Sequence, residues 1–262
     1  MYPELKNKVA VITGASRGID AEITRRLAKE GMNVVINYYG NKKEATDLSR
    51  KINSNYPGST DIFEGDVSEE STAISLIDKA TKLFGSFDLL VNNAGIQIPE
   101  KSHRISPDDW KKVIDTNLTS SFMTSSVAVN YFLKKNIKGN IINISSVHEI
   151  IPWPGFVSYA VSKGGMRMLT QSLALEYASK GIRINAVGPG AINTPMNAKK
   201  MENEETKNDL LKLIPMRYIA DPDVIANTVT WLASDQSKYI TGQTIFVDGG
   251  MTLYPSFQEG RG

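Results

Sequence analysis

The 262-residue sequence contains no cysteine, which excludes disulfides, thiolate zinc sites and a cysteine nucleophile. Its 30 basic residues nearly balance 28 acidic ones, so a net charge of +2 offers no dense basic surface for nucleic acid. No segment reaches the roughly 18 consecutive apolar residues of a membrane span. The N-terminus, Met1-Tyr-Pro-Glu-Leu-Lys, lacks the apolar stretch of a signal peptide. We therefore expect a soluble cytoplasmic protein that binds neither nucleic acid nor a membrane.

What the sequence does have is an alternation of short apolar runs and longer helical patterns. The predicted strands are Val9–Thr13, Asn33–Asn37, Asp61–Phe63, Leu89–Val91, Asn140–Ile144, Ile182–Val187 and Thr244–Val247. The predicted helices are 19–30, Lys42–Asn55, Glu69–Phe84 with Ser68 as N-cap, Asp108–Val113, Leu118–Lys134, Tyr159–Ala178 and Asp223–Ala233. This alternation predicts one α/β domain over residues 1–262, with about seven parallel strands and helices on both faces of the sheet.

A glycine-containing loop, Thr13-Gly-Ala-Ser-Arg-Gly-Ile-Asp20, joins the first strand to the first helix. Glycines permit a tight turn there, and a helix N-terminus presents N–H groups to a phosphate. No Gly-Lys-Ser/Thr follows, which argues against a nucleotide triphosphatase. Taken alone, the loop is equally compatible with a plain turn.

The end of the second strand bears on the choice of cofactor. Dinucleotide-binding folds often place an acidic residue there, on the ribose 2′-hydroxyl, but this chain has Asn37 followed by Tyr38. The cation Arg17 lies in the phosphate loop instead. A cation without a nearby carboxylate suits a 2′-phosphate, so the pattern favours NADP and leaves NAD open; a solvated Arg17 on the helix surface is the alternative.

Tyr159 and Lys163 stand four residues apart and share one face of a predicted helix. A nearby ammonium lowers the pKa of a phenol, which gives a proton donor and acceptor for alcohol oxidation or carbonyl reduction. A surface pair is the alternative. Ser146, at the end of the fifth strand, is placed to hold the substrate oxygen, and by position alone Ser145 could serve instead.

Together these residues resemble the short-chain dehydrogenase/reductase family over essentially the whole chain. The matching pieces, in family order, are Thr13–Ile19, Gly65–Val67, Asn92–Gly95, Asn117, Ser146, Tyr159 with Lys163, and Pro189-Gly190 with Thr194. The resemblance implies a single Rossmann-type domain. It also implies hydride transfer directly between a substrate carbon and a nicotinamide cofactor, so no metal is expected.

The resemblance also implies residue roles. Tyr159 would be the general acid/base, Lys163 would lower its pKa and hold the nicotinamide ribose, and Ser146 would bind the reacting oxygen. Asn117 would support a water that relays protons. The implied cofactor-binding residues are Gly14, Ser16, Arg17, Gly18, Ile19, Asn37, Tyr38, Asp66, Val67, Asn93, Ala94, Gly95, Tyr159, Lys163, Pro189, Gly190, Ile192 and Thr194.

A narrower resemblance, to the bacterial glucose 1-dehydrogenases, rests on Ser145–Pro154, Gly188–Pro195, Ile214–Tyr218 and the tail Gly249–Gly262. It implies oxidation of β-D-glucose to gluconolactone with NAD or NADP, and a homotetramer. The candidate sugar-binding residues are Gln97, Ser146, His148, Tyr159 and Asn197, whereas His103 is interpreted as a surface residue. The alternative within the family is a reductase of 3-oxoacyl thioesters or other small ketones. A dinucleotide-binding regulator without turnover is disfavoured because Ser146, Tyr159 and Lys163 are all present.

Three further expectations follow. Residues 195–213 follow the Pro-Gly motif, where the family carries a substrate lid, and residues 249–262 are expected at a subunit interface. Asp20 stands where the family has its third loop glycine. A carboxylate there faces the position of an anionic pyrophosphate, unless it turns to solvent or pairs with a cation, so we expect it to weaken cofactor binding.

Overall fold

The computed structural model describes residues 1–15, 17–195, 203–253, 255 and 258. A seven-stranded parallel sheet forms the centre, with the strand order β3-β2-β1-β4-β5-β6-β7. The strands are β1 (Val9–Ile12), β2 (Asn33–Tyr38), β3 (Thr60–Glu64), β4 (Leu89–Asn92), β5 (Asn140–Ile144), β6 (Arg183–Pro189) and β7 (Thr244–Val247). The prediction of one doubly wound, Rossmann-type domain is confirmed.

Helices cover both faces of this sheet. They are α1 (Ile19–Lys29), α2 (Lys42–Asn55), α3 (Glu70–Phe84), α4 (Pro107–Ile114), α5 (Ser120–Lys135), α6 (Val157–Tyr177), α7 (Glu204–Lys212) and α8 (Asp223–Ala233). None of the helices in the described part of the chain is both long and apolar enough to cross a membrane.

The alternation of side chains along β1 shows why the strands are apolar throughout. Ala10 and Ile12 pack in a core with α1, α2 and α8, whereas Val9 and Val11 pack in a second core with α3, α5 and α6. Both faces of the strand are therefore buried, as expected in a parallel sheet with helices on each side.

The N-cap of α3 differs from the prediction of Ser68. Helix α3 begins after Glu69, and the Ser68 hydroxyl donates instead to the Asp66 carboxylate at 2.7 Å.

The direction of the strand order reverses between β1 and β4, which are neighbours in the sheet. In such folds a ligand crevice opens beyond the carboxyl ends of the strands at this reversal. The glycine loop follows β1, Asn93–Gly95 follow β4, and Ser145-Ser146 follow β5. The fold thus brings the sequence-predicted groups to one edge of the sheet.

Candidate active site

The glycine loop forms a cradle that side chains would fill. Gly14 has a φ of +68°, and a Cβ there would lie 2.8 Å from the Cα of Ala94. Gly18 has a φ of +72°, and a Cβ there would contact the Thr194 side chain at 3.7 Å. Glycine is the residue that tolerates positive φ and close backbone approach. The loop therefore fits the phosphates of a dinucleotide in shape.

Thr13 ties this loop to the segment after β4. Its Oγ1 accepts hydrogen bonds from the backbone N–H groups of Asn93 at 3.0 Å and Ala94 at 3.1 Å. The Asn93 side chain donates back to the Thr13 carbonyl at 3.3 Å. The two walls of the crevice are consequently held at a fixed separation.

Asn37 and Tyr38 occupy supporting positions in the structure. Asn37 is 1% exposed; its Oδ1 accepts from the Gly14 N–H at 3.1 Å and its Nδ2 donates to the Gly65 carbonyl at 2.9 Å. Tyr38 is also buried, and its hydroxyl donates to Glu64 at 3.0 Å. Asn37 thereby supports the turn at Gly14, and Tyr38 joins β2 to β3; direct contact of either side chain with the cofactor stays a prediction. The contact of Tyr38 with the Glu64 carboxylate was not predicted, because Glu64 belongs to the neighbouring strand β3.

The other predicted cofactor residues lie around the same crevice with differing exposure. Arg17 is exposed, Ile19 opens α1, and the Asp66 carboxylate accepts from the Ser68 N–H at 2.9 Å. Val67, Pro189 and Ile192 are buried, while Asn93, Ala94, Gly95, Gly190 and Thr194 are partly exposed. Ser16 lies outside the described residues.

Asp20 turns into the protein rather than toward solvent. It is 6% exposed, and its Oδ2 accepts from the Arg17 backbone N–H at 3.2 Å. Burial raises the pKa of this carboxyl to about 7, against hydrogen bonds from its own backbone, Arg17 and Asn93 and the charge of Arg17. A group that is partly ionised near neutral pH therefore stands in the first turn of α1, at the phosphate end of the crevice.

The structure separates the two serines after β5. Ser146 is hydrogen-bonded with Tyr159, whereas the Ser145 hydroxyl donates to the Glu149 carboxylate at 2.6 Å. Ser146 also caps the short 3-10 turn Val147–Glu149 by accepting from the His148 N–H at 3.2 Å. The geometry thus places Ser146, and not Ser145, beside the phenol.

Lys163 lies one helical turn after Tyr159 on α6 and is 3% exposed. Its Nζ donates to the Ile144 carbonyl at 2.8 Å and lies 5.6 Å from the centre of the Tyr159 ring. Burial lowers the pKa of Lys163 to about 8, against the charge of Glu149. Burial also raises the pKa of Tyr159, partly offset by Ser146, which is opposite to the lowering that the sequence predicted. Desolvation of the phenol is the larger of the two effects, and the hydrogen bond with Ser146 offsets only part of it.

Asn117 lies in a π-helical turn, Asp115–Thr119, between α4 and α5. It is fully buried, and its side chain accepts from the Ile96 N–H at 2.8 Å and donates to the Ile96 carbonyl at 2.9 Å and to Ser162 at 3.0 Å. Single π turns of this kind are frequent at functional sites. Asn117 therefore fixes the segment after β4 against the helix that carries Tyr159 and Lys163.

An aromatic wall stands beside Tyr159, formed by His148, Trp153 and Phe156. The His148 ring stacks on Trp153 at 4.1 Å between centroids, and Trp153 stacks on Phe156 at 3.8 Å. His148 and Trp153 both meet the Tyr159 ring edge-on, at 6.2 and 5.9 Å. Sequence reasoning assigned no role to Trp153 or Phe156, although Trp153 lies in the conspicuous Pro-Trp-Pro run.

The remaining predicted substrate residues are less well defined. Gln97 is partly exposed after β4, and Asn197 lies outside the described residues. His103 is exposed and borders a cleft of about 500 Å³ whose lining includes Trp153 but not Tyr159. The expectation that His103 is a surface residue agrees with this exposure.

The predicted lid, residues 195–213, and the predicted interface tail, residues 249–262, are described in part. Within 195–213, residues 196–202 lie outside the described residues, and α7 contributes no buried side chain. Of the tail, Gly249–Leu253, Pro255 and Gln258 are described. Gln258 donates to the Pro215 carbonyl at 3.2 Å, so this part of the tail contacts its own chain.

Known proteins match this chain over nearly its whole length. A family model described as Enoyl-(Acyl carrier protein) reductase matches residues 14–252. The 3beta-hydroxysteroid dehydrogenase 1 of Eggerthella lenta is 49% identical over 262 residues, 100% of both chains. The chain belongs to the short-chain dehydrogenase/reductase family. Glucose 1-dehydrogenase 2 of Bacillus subtilis is 46% identical over 260 residues, 99% of this chain and 100% of that protein.

A solved structure shows the same relationship. The 3-oxoacyl-(acyl-carrier protein) reductase from Brucella melitensis has a TM-score of 0.89 at 33% identity, covering 96% of this chain and 93% of that chain. As a short-chain dehydrogenase/reductase, this protein is an oxidoreductase that uses a nicotinamide dinucleotide. The family resemblance stated from the sequence is confirmed, whereas the relatives are named as a hydroxysteroid dehydrogenase, a glucose dehydrogenase and a 3-oxoacyl-(acyl-carrier protein) reductase.

Proposed function

We propose that this short-chain dehydrogenase oxidises a secondary or hemiacetal hydroxyl, with Tyr159 as general base and Ser146 holding the substrate oxygen. The observation that carries the proposal is the juxtaposition of Ser146 with Tyr159, with Lys163 one helical turn away. Asn117 positions the opposite wall through Ile96. Every group required to orient an alcohol and accept its proton lies at one edge of the sheet.

The chemistry divides between the protein and the cofactor. A bound oxidised nicotinamide supplies the hydride acceptor. Ser146 orients the hydroxyl, and the Tyr159 phenolate accepts its proton as the carbon–hydrogen bond breaks and the carbon–oxygen double bond forms. The Lys163 ammonium stabilises the phenolate electrostatically. In the reverse direction, the Tyr159 hydroxyl returns the proton to the alkoxide oxygen.

The proposed substrate is β-D-glucose, oxidised at C1 to gluconolactone. The support is the 46% identical glucose 1-dehydrogenase 2, together with Ser146, which is hydrogen-bonded with the Tyr159 phenol, and His148, whose ring lies 6.2 Å from that of Tyr159. We propose that Gln97, partly exposed after β4, adds a further polar contact. The aromatic wall adds a flat surface beside these polar groups, which suits the C–H face of a pyranose. We propose NADP as the preferred cofactor because Arg17 is exposed beside the phosphate loop, with NAD as the alternative.

The second candidate is a 3β-hydroxysteroid. The same aromatic wall favours it, because three adjacent rings beside Tyr159 suit a flat apolar substrate. The 49% identical relative named 3beta-hydroxysteroid dehydrogenase 1 supports this alternative. We further propose that residues 195–213 form the lid over whichever substrate is bound.

A substrate comparison tests these proposals. The purified protein is assayed for kcat/KM with β-D-glucose, a 3β-hydroxysteroid and, in the reverse direction, an acetoacetyl thioester, each with NADP and with NAD. Glucose is expected to give the highest kcat/KM. A 3β-hydroxysteroid outperforming glucose would reassign the substrate, and activity confined to the thioester would favour the reductase alternative.

A further inference from the structure

Glu149 is a buried carboxylate that the reaction described above leaves without a task. It ends the short turn that follows Ser146, and its side chain is 0% exposed. Burying an ionised carboxylate is unfavourable unless charges or hydrogen bonds compensate for the lost hydration. The burial of a carboxylate three residues after Ser146 therefore needs a physical explanation.

The groups that face Glu149 come from three elements. From the end of β5, the Ser145 hydroxyl donates to Oε2 at 2.6 Å, and from β7 the Thr244 side chain forms a hydrogen bond. From α6, the Arg167 Nε lies 3.9 Å from Oε1, and the Lys163 charge acts on the carboxylate. Oε1 accepts no hydrogen bond from any residue that the structure describes. Oε2 is thus held by the Ser145 hydroxyl, and Oε1 faces the Arg167 guanidinium.

Lys163 is a buried cation and also requires compensation for its lost hydration. Its ammonium is buried, and it donates to the carbonyl of Ile144, the residue immediately before Ser145. A carbonyl compensates only part of the hydration that a buried cation loses. The field of Glu149 acts on Lys163 in the stabilising direction, opposing the effect of burial. Consecutive residues at the end of β5, Ile144 and Ser145, therefore hold the cation and the anion in fixed relation.

We propose that Glu149 is a positioning residue that acts as the buried counter-ion of Lys163 and keeps this side chain an ammonium during the reaction. This inference rests on the proposed roles of Tyr159 and Lys163. Arg167 sets the strength of the effect, because its guanidinium attenuates the negative field at the same carboxylate. The side chain of Arg167 is 45% exposed, so it is also open to substitution without disturbing the core.

The sign of the expected pH effect follows from these charges. Lys163 must be protonated to stabilise the phenolate, so activity falls on the alkaline side as Lys163 loses its proton. Burial lowers the pKa of Lys163 and Glu149 raises it, which means that removing the carboxylate charge moves the alkaline limb to lower pH. Removing the Arg167 charge leaves the carboxylate field stronger and moves the same limb to higher pH.

The experiment measures kcat/KM against pH for the whole enzyme and four variants. Glu149→Gln is expected to move the alkaline limb down by about one pH unit, since an adjacent opposite charge shifts a pKa by roughly that amount or more. Arg167→Met is expected to move it up. Glu149→Asp keeps the charge and should leave the limb near its wild-type position even where kcat falls. Glu176→Gln removes an exposed carboxylate from the same helix and should change nothing.

Opposite shifts for Glu149→Gln and Arg167→Met support the counter-ion, because a purely structural role would not invert the direction. Unshifted limbs, or shifts of the same sign in both variants, overturn it. If Glu149→Gln fails to fold, as judged by circular dichroism, the absence of an upward shift in Arg167→Met overturns it alone. Tyr159→Phe separates the two proposals. If Tyr159→Phe is active, the proposed chemistry is wrong. If Tyr159→Phe is inactive but Glu149→Gln and Arg167→Met show unshifted alkaline limbs, only the role of Glu149 is wrong.

Discussion

Tyr159, Lys163 and Asp20 are ionisable side chains of the candidate site, and burial moves the pKa of each in the direction that favours its neutral form. The pKa of Tyr159 is raised, that of Lys163 is lowered to about 8, and that of Asp20 is raised to about 7. Since desolvation is the largest cause in each case, these pKa shifts depend mainly on how tightly each group is packed in the folded chain. Single substitutions can therefore separate the role of one residue from that of another.

At Tyr159, we expect substitution by phenylalanine to lower kcat by about 100-fold or more, the range of a lost general acid or base. The phenylalanine ring retains the packing against His148 and Trp153, so cofactor affinity measured by fluorescence titration should remain nearly unchanged. Tyr177→Phe, on the same helix but away from Ser146, is the matched control. Retention of more than a few per cent of wild-type kcat in Tyr159→Phe would remove this residue from the proposed role.

At Asp20, we expect cofactor affinity to depend on pH. The carboxyl is half ionised near pH 7, and the anionic form repels the phosphates, so the Kd should rise as pH increases through that value. Asp20→Asn removes the charge and can still accept from the Arg17 N–H. Above pH 7 the variant should bind the cofactor about tenfold more tightly, equivalent to about 1.4 kcal/mol.

Calorimetric titration at fixed ionic strength, below and above neutral pH, measures this difference directly. Glu22→Gln is the control, because Glu22 lies in the same first turn of α1 but is paired with Arg25 at 2.9 Å. Equal affinities for wild type and Asp20→Asn at alkaline pH, or tighter binding by wild type, would contradict the prediction.

The connection between β1 and α1 depends on a close backbone approach that substitution at Gly14 tests. Gly14 and Gly40 both have positive φ, so alanine at either position is strained by about 1–2 kcal/mol. A Cβ at Gly14 also meets the Ala94 Cα at 2.8 Å, whereas one at Gly40 meets nothing within 4 Å. We expect Gly14→Ala to lower the free energy of unfolding more than Gly40→Ala and to weaken cofactor binding, which Gly40→Ala should not do.

Urea denaturation and cofactor titration of the two variants provide the comparison. Similar losses of stability with intact cofactor affinity in both would indicate that the loop relaxes around the new methyl group. The separation between Gly14 and Ala94 would then not be a constraint on the crevice.

Most helices and strands were predicted from the spacing of apolar residues along the sequence. The predicted bounds of α2, α8 and β7 coincide with the structure, because each is set by apolar spacing or by a nearby turn. The sequence did not predict the π turn at Asp115–Thr119. It shows two helical patterns separated by a few polar residues, and such a pattern is equally compatible with a loop between two helices. It also placed the N-cap of α3 one residue early, since Ser68 is drawn instead to Asp66.

The candidate site was predictable where a residue type carries its own chemistry and less so where its surroundings decide. Tyr159, Lys163 and Ser146 were identified by their match to the family motifs, since residue type and spacing alone left a surface pair and Ser145 as alternatives. The supporting position of Asn37 and the burial of Glu149 depend on contacts with other strands and helices, which are distant in sequence. For the same reason, the upward shift of the Tyr159 pKa was missed: desolvation is a property of the packed molecule.

For the whole molecule, the two faces of the sheet are covered, but apolar side chains remain exposed on the outer surface of α6. Val161, Met168 and Leu175 are 45%, 57% and 86% exposed and follow one another at intervals of seven residues, so they lie along one side of the helix. Phe122 and Leu133 on α5 add to the exposed apolar surface, at 50% and 44%. Apolar stripes of this extent favour burial against another copy of the chain.

The resemblance to the bacterial glucose 1-dehydrogenases implies a homotetramer, and the exposed stripe leads us to expect that α6 contributes to a subunit interface. Leu175→Glu places a charge within the stripe and should shift the protein toward smaller species, because an unpaired charge cannot be buried without a large penalty. Leu83→Glu, on α3, makes the same change at a side chain that is 49% exposed outside the stripe and should leave the assembly intact. Sedimentation velocity at micromolar concentration distinguishes the species. A wild-type protein that sediments only as a monomer would contradict the tetramer, and a tetrameric Leu175→Glu variant would move the interface away from this part of α6.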